Sequence, residues 1–226
     1  MDEETLKATQ HWDAEWTKRA VPEGEHAGPG FLALMTRNME KTQTVLKALA
    51  ARPYYTMLEK LEIGCSNGVH AAYLNNRDPM YLDKWTGIDL SEVAISRARR
   101  AGMNAHVADI MTWEPGRKFE AFIMLDSLEH ILDHERLANK ILALATPVFR
   151  LFSNIPMYCD AMEFEKPMDV NAVAHFVHRL GCHKFWHKIY GSFGYPYMMF
   201  ETSNGERDVN LDGIVDFQAK VKKLKE

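Results

Sequence analysis

Leu61-Glu62-Ile63-Gly64-Cys65-Ser66-Asn67-Gly68 is the stretch whose reading decides the fold. The apolar run Leu58 to Cys65 reads as a β-strand, and Gly68 to Asn76 as a helix with Val69, Ala72 and Tyr73 on one side. Between them, glycines let the chain turn tightly and let a ligand come close to peptide groups without meeting a Cβ. The N-terminus of the following helix points at the same spot, which favours a negatively charged ligand group.

Moving outward, the same rhythm repeats. Trp85 to Leu90 is a second strand, and Ser91 is a good N-cap for a helix over Glu92 to Ala101. Ala105 to Ile110 is a third strand. Ala121 to Leu125 is a fourth, almost wholly apolar, as a strand covered on both faces should be. Leu137, Ile141 and Leu144 mark a helix that Pro147 is expected to stop, and Val148 to Ile155 is a fifth strand. Alternation of this kind means βαβ units and a parallel sheet. The end of the chain departs from it. Lys184 to Tyr190 and Tyr197 to Thr202 are strand-like with only Gly191 to Pro196 between them, too short for a parallel crossover, so as a pair they must run antiparallel. Val170 to Leu180 is helical, and Ile214, Phe217, Val221 and Leu224 suggest a final lysine-rich helix.

Ahead of the first strand, residues 1–56 carry no strand-like run. Trp12 and Trp16 stand four apart on a short amphipathic helix from Glu4 to Arg19, and Leu32, Met35, Met39, Val45, Leu46 and Leu49 share one face of another. The expected organisation is a helical cap over 1–56, an α/β domain over 57–203 and a C-terminal helix over 204–226.

Composition narrows the classes. The 226 residues are 46% hydrophobic and 26% charged, which excludes a mostly disordered chain, and a net charge of −4 removes a whole-chain basic footprint for nucleic acid. No apolar run approaches the roughly 20 residues a bilayer span needs. The acidic, polar start MDEETLKATQ is the wrong chemistry for a signal peptide, and three scattered cysteines, Cys65, Cys159 and Cys182, do not make a disulfide framework. A reducing cytoplasm is the expected setting.

In an open parallel sheet, ligands bind outside the carboxyl ends of the strands. Here each such end carries a usable group. Asp89, in GIDLS, can accept from a ribose diol; Asp109, in VADI, can accept from an exocyclic amine, with Ile110 an apolar wall for a base; Asp126, Glu129 and His130 follow the fourth strand in LDSLEHI. A dinucleotide fingerprint needs glycines at positions one, three and six of the loop, but from Gly64 the third is Ser66 and the sixth Val69. A Walker loop is excluded because no GK[ST] occurs.

On LEIGCSNG, GIDLS, VADI and LDSLEHI, the chain resembles the class I S-adenosylmethionine-dependent methyltransferases, in particular the small-molecule group that includes ubiquinone-biosynthesis-type enzymes. The resemblance covers about Met57 to Ser153. It implies a Rossmann-like, doubly wound, mostly parallel seven-stranded sheet with an antiparallel last strand and an N-terminal helical lid. It implies that Gly64, Cys65, Ser66 and Gly68 lie along the methionine portion of the cofactor with Glu62 assisting, that Asp89 and Leu90 hold the ribose, that Asp109 and Ile110 hold adenine, and that Leu125 or Asp126 lies near the sulfonium. The family usually has glycine where Ser66 stands.

The implied activity is methyl transfer from S-adenosyl-L-methionine to a small-molecule oxygen, nitrogen or carbon, with His130 and Asp126 the first candidates to handle an acceptor proton. A base is needed only for an acceptor that arrives protonated. Trp12, Asn154 and Tyr158 are the expected acceptor contacts. Rival readings are an RNA or protein methyltransferase and a non-catalytic cofactor-binding module. The acidic balance speaks against a nucleic-acid partner and the lack of an apolar span against a membrane; a monomer or homodimer is expected. His175, His178, Cys182, His183 and His187 raise zinc, but a helix end divides them and no CxxC is present, so no metal is expected. Asn154-Ile155-Pro156 lacks the second proline of the nucleobase amino-methyltransferase motif. Lys220, Lys222, Lys223 and Lys225 read as a solvated helix face.

Overall fold

The computed structural model describes residues 3–18, 41–76, 79–156, 168–182, 184–190, 197–205 and 215–216. The strand at the centre of the sequence reading is β1 (Lys60–Ile63), with all four residues buried. The chain divides into two compact units, Met1–Met57 with Cys65–Asp109, and Leu58–Gly64 with Ile110–Glu226.

The first unit holds the helices α1 (Glu3–Lys18), α2 (41–50), α3 (Val69–Asn75), α4 (Met80–Asp83) and α5 (Glu92–Arg100) and the strands β2 (Trp85–Asp89) and β3 (Asn104–Val107). β2 and β3 run parallel, in register from Thr86↔Asn104 to Asp89↔Val107. α5 starts as expected, with the Ser91 hydroxyl accepting from the Ala94 amide at 3.1 Å. Arg97, Arg99 and Arg100 fill its last turn, where cations complement the helix dipole. Arg99 Nε also donates to the Ala105 carbonyl at 2.8 Å, fastening α5 to β3. Gly87 lies beneath Met103 and Cys65: a Cβ there would meet Met103 Cε at 2.5 Å and Cys65 Sγ at 2.6 Å. Val45, Leu46 and Leu49 form the buried face of α2; Leu32, Met35 and Met39 lie outside the described residues.

The second unit carries β1, β4 (Phe119–Leu125), β5 (Ala145–Pro156), β6 (Lys184–Tyr190), β7 (Tyr197–Ser203) and β8 (Val215–Asp216), with α6 (His134–Leu144) and α7 (Val170–Arg179). In sheet order the first unit contributes β3-β2 and the second β1-β4-β5-β7-β6-β8. β1, β4 and β5 are parallel neighbours, and β7 pairs antiparallel with both β5 and β6. The chain leaves after β1 and re-enters beside it at β4, which makes the carboxyl ends of these two strands a switch point. The Phe122 ring meets the edges of Phe119 and Phe149 at centroid distances of 6.3 and 5.8 Å, an edge-to-face aromatic cluster at the amino end of the sheet. The architecture is the expected Rossmann-like one: an open, mostly parallel sheet whose last strands are antiparallel.

Several expectations change. Pro147 does not stop a helix: α6 ends at Leu144, and Pro147 stands inside β5. It is tolerated because the β4–β5 register shifts between Phe119 and Ala121, leaving residues 146–149 outside the regular ladder where a missing N–H costs nothing. β5 runs through Asn154 as expected, pairing it with Leu125 and Met199, but begins three residues earlier, at Ala145. β3 stops at Val107, so Asp109 and Ile110 follow it. Val215 and Asp216, expected in a helix, pair with Phe185 and Lys184 as β8, since the open edge of β6 offers backbone partners that a short polar helix lacks. The rest of the expected C-terminal helix, terminal lysines included, lies outside the described residues. Among those described, no helix is long and apolar enough to cross a membrane.

Candidate functional site

In the first unit, the glycine loop and the second strand are joined through one carboxylate. Ser66 adopts φ +48°, in the left-handed region that costs a non-glycine residue roughly 1 kcal/mol. That conformation turns its amide to donate to Asp89 Oδ2 at 2.9 Å, while the Ser91 amide donates to Asp89 Oδ1, also at 2.9 Å. The half-buried Asp89 thus fixes both the loop and the start of α5. Gly68 caps α3 at φ +77°, with Ala98 Cβ 3.1 Å from where its own Cβ would be. Cys65 is fully buried, and its amide donates to the Ile88 carbonyl at 3.0 Å.

α1 reaches the same strand ends. Asp13 Oδ1 accepts from the Ser91 hydroxyl at 2.5 Å and from the Val93 amide at 3.3 Å. Eight residues earlier, about 12 Å along the helix, Thr5 Oγ1 donates to Asp109 Oδ2 at 2.9 Å. Both sequence-predicted carboxylates are therefore held, Asp89 by the loop and Asp109 by α1. Trp12 is half-buried on α1 and meets the His11 ring edge-on at 4.9 Å. Leu90 is half-buried beside Asp89.

In the second unit, the turn after β4 packs on the end of β1. Ser127 Oγ donates to the Ile63 carbonyl at 2.8 Å, and a Cβ on Gly64 would stand 2.5 Å from Ser127 Cβ. Gly64 must therefore be glycine on two grounds, the close approach and its φ of +74°. Asp126 follows β4 at φ +49°, and Asn154 Nδ2 donates to its Oδ1 at 2.6 Å. A 3₁₀ turn, Leu128–His130, comes next, holding Glu129 buried at 3% exposure and His130 half-buried. Glu62 is fully buried in β1, Leu125 is buried at the end of β4, and Ile110 is buried as well.

Sequence reasoning missed Thr5, Asp13 and Ser127, whose partners are remote in the chain, and the Asp126–Asn154 bond. Tyr158 and His183 lie outside the described residues. His175 and His178 are exposed, and Cys182 is buried. Among the described residues no three His, Cys, Asp or Glu side chains gather closely enough to hold a metal ion.

Comparison with known proteins agrees with this architecture. A family model described as a methyltransferase domain matches residues 32–188, and the chain belongs to that family. Trans-aconitate 2-methyltransferase of Escherichia coli is 30% identical over 110 residues, 48% of this chain and 43% of that protein. An uncharacterized methyltransferase of Mycobacterium tuberculosis is 34% identical over 92 residues, 38% of this chain and 45% of that protein. The chain thus spans less than half the length of these curated relatives. The fold is shared with magnesium protoporphyrin IX methyltransferase from Synechocystis PCC 6803, solved with bound SAH. There the TM-score is 0.71 at 13% identity, over 90% of this chain and 100% of that one.

Proposed function

We propose that this protein transfers a methyl group from S-adenosyl-L-methionine to a small-molecule acceptor. The observation that carries the cofactor half is the Asp89 carboxylate, bonded to the amides of Ser66 and Ser91 at the end of β2. A carboxylate offers about four acceptor positions, so backbone amides and the hydroxyls of a ribose are compatible on one group. Asp109, with one oxygen set by Thr5 and the buried Ile110 next in sequence, suits an adenine amine and ring. The family membership and the SAH-bound fold relatives support the same reading.

When bound, the cofactor supplies an electrophilic methyl on a good leaving group. The chain's own work is then to hold the adenosyl end, to align an acceptor with the methyl–sulfur bond and to exclude water. Alignment of this kind is worth roughly 7–11 kcal/mol in favourable intramolecular cases. Asp89 and Leu90 take the ribose, Asp109 and Ile110 the adenine, and Gly64, Cys65, Ser66 and Gly68 the methionine portion, with Glu62 assisting and Leu125 near the sulfonium. Asp126 and His130 stand ready for an acceptor proton, and Asn154, Trp12 and Tyr158 for acceptor contacts. We assign the protein to the cytoplasm as a monomer or homodimer, with a helical cap over 1–56 and the catalytic domain over 57–203.

The test is calorimetric titration with S-adenosylhomocysteine together with transfer from methyl-labelled cofactor into a metabolite extract. Asp89→Ala is expected to weaken binding ~10- to 100-fold, because charge-assisted bonds are lost. Wild-type protein that takes up no S-adenosylhomocysteine would end this reading, and label found only in RNA or protein would move the acceptor to a macromolecule.

A further inference from the structure

The geometry points to a binding subsite for a protonated amine at the carboxyl ends of β4 and β5, built by Asn154 and Asp126. This rests on the proposal that these strand ends bind ligand, and it adds the ligand's chemistry. Asn154 is 1% exposed, and its Oδ1 has no hydrogen-bond donor among the described residues. The orientation of its amide is fixed by the neighbour. A carboxylate only accepts, so the NH₂ must face Asp126 Oδ1, 2.6 Å away, and the carbonyl oxygen must face elsewhere. A buried acceptor without a donor is costly, and a ligand that supplies the missing partner accounts for its being kept.

The bond also holds Asp126 at φ +49°, a conformation disfavoured for aspartate, in the turn directly after β4. Glu129, three residues on, is a second buried acid in the same turn. Asn154 Oδ1 and the Asp126 carboxylate are both acceptors, one neutral and one anionic. An ammonium carries three donors and a positive charge, and so suits both kinds of acceptor. A carboxylate ligand would bring further acceptors against them. Two sources share this chemistry: the amino group of a methyl acceptor and the α-amino group of the cofactor.

Wild type, Asp126→Asn and Asn154→Ala would be titrated calorimetrically with two matched pairs. One is S-adenosylhomocysteine against its deaminated analogue, the other hexylamine against hexanol. Asparagine accepts a positive φ and leaves Asn154 Nδ2 an oxygen to reach, so Asp126→Asn removes charge with the turn intact; thermal melts report folding in both variants. Wild type is expected to favour the amine of at least one pair tenfold or more, and the variants to cut that preference to threefold or less. Preference in the first pair assigns the cofactor's amino group; preference in the second assigns the acceptor's. No preference in either pair, no binding of any probe, or a preference that survives Asp126→Asn overturns the subsite. Wild type selective for hexylamine but blind to S-adenosylhomocysteine upholds the subsite and sinks the cofactor reading instead.

Discussion

The strand ends of the two units are finished to different degrees. In the first, Asp89 accepts two backbone amides and Asp109 a threonine hydroxyl, while Asp13 binds the capping serine between them in sequence. In the second, Asp126 accepts from the amide of Asn154, whose other end is a buried acceptor with no donor among the described residues. Groups tied this firmly before any ligand arrives suit a ligand that is always the same, because little ordering remains to oppose binding. An acceptor left open is completed only when a ligand arrives. On the proposed function, the contrast is between groups set in advance for the adenosyl end and a subsite that its ligand completes.

The largest expected effect comes from Gly64, packed against the turn after β4. Gly64→Ala forces a Cβ to within 2.5 Å of Ser127 Cβ at φ +74°, whereas Gly102→Ala, at φ +84°, meets nothing within 4 Å. Overpacking adds ~1–3 kcal/mol to a backbone term of about 1 kcal/mol. Gly64→Ala should therefore lower the thermal midpoint several times as far as Gly102→Ala. Equal shifts would show that the turn after β4 gives way, and that the second unit is looser than its packing implies.

Next in size is the tie from α1. Asp13→Ala removes the acceptor of the Ser91 hydroxyl and the Val93 amide, and Thr5→Val removes the bond to Asp109. Each is expected to weaken S-adenosylhomocysteine ~3- to 10-fold, about the net worth of one ordinary hydrogen bond, because the ligand-facing carboxylate is freed rather than removed. Thr5→Ser should restore the affinity. If Thr5→Val binds as well as wild type, Asp109 needs no orientation, and the first unit is less committed than its hydrogen bonds suggest.

These same contacts mark where the sequence stops being readable. Asp89 and Asp109 could be found because a charge directly after an apolar run stands out, and the chain order of strands places it at a carboxyl end. The antiparallel close could be found because six residues cannot make a crossover. Thr5, by contrast, sits 104 residues from Asp109, and Asp13 lies 78 from Ser91; nothing local in an amphipathic helix marks which polar residue will find a partner. Asp126 enters a left-handed turn with no glycine to announce it. Pro147 misled because its local effect, ending a helix, was read without the register shift that lets a strand carry it.

A smaller effect would sharpen the comparison from the other side. Ser66 is the one residue of the loop, counting Gly64 and Gly68, that holds a positive φ without being glycine. Ser66→Gly removes the steric term while keeping the amide that Asp89 accepts, so it should stabilise by about 0.5–1 kcal/mol, offset in part by the freer unfolded chain. For a chain of this size that is a rise of ~1–4 °C in the thermal midpoint, with S-adenosylhomocysteine affinity held within twofold. A fall in affinity would mean that the serine side chain itself touches ligand.

The last effect, confined to alkaline pH and absent at neutral pH, belongs to a residue outside both strand ends. Burial pushes the Cys182 thiol up to about 11 from an ordinary value of 9.0, against a smaller opposite pull from Thr202. Folding therefore favours the neutral thiol. That contribution is fully present below about pH 9, and it is lost as the pH rises through the folded value near 11. Cys182→Ala should flatten the fall in stability between pH 9 and 11 while leaving cofactor affinity at pH 7.5 untouched. Denaturant titrations of both proteins across that range measure it. A matching slope in the variant would place the alkaline loss in other groups, and a changed affinity would tie the antiparallel end of the sheet to a site its contacts do not reach.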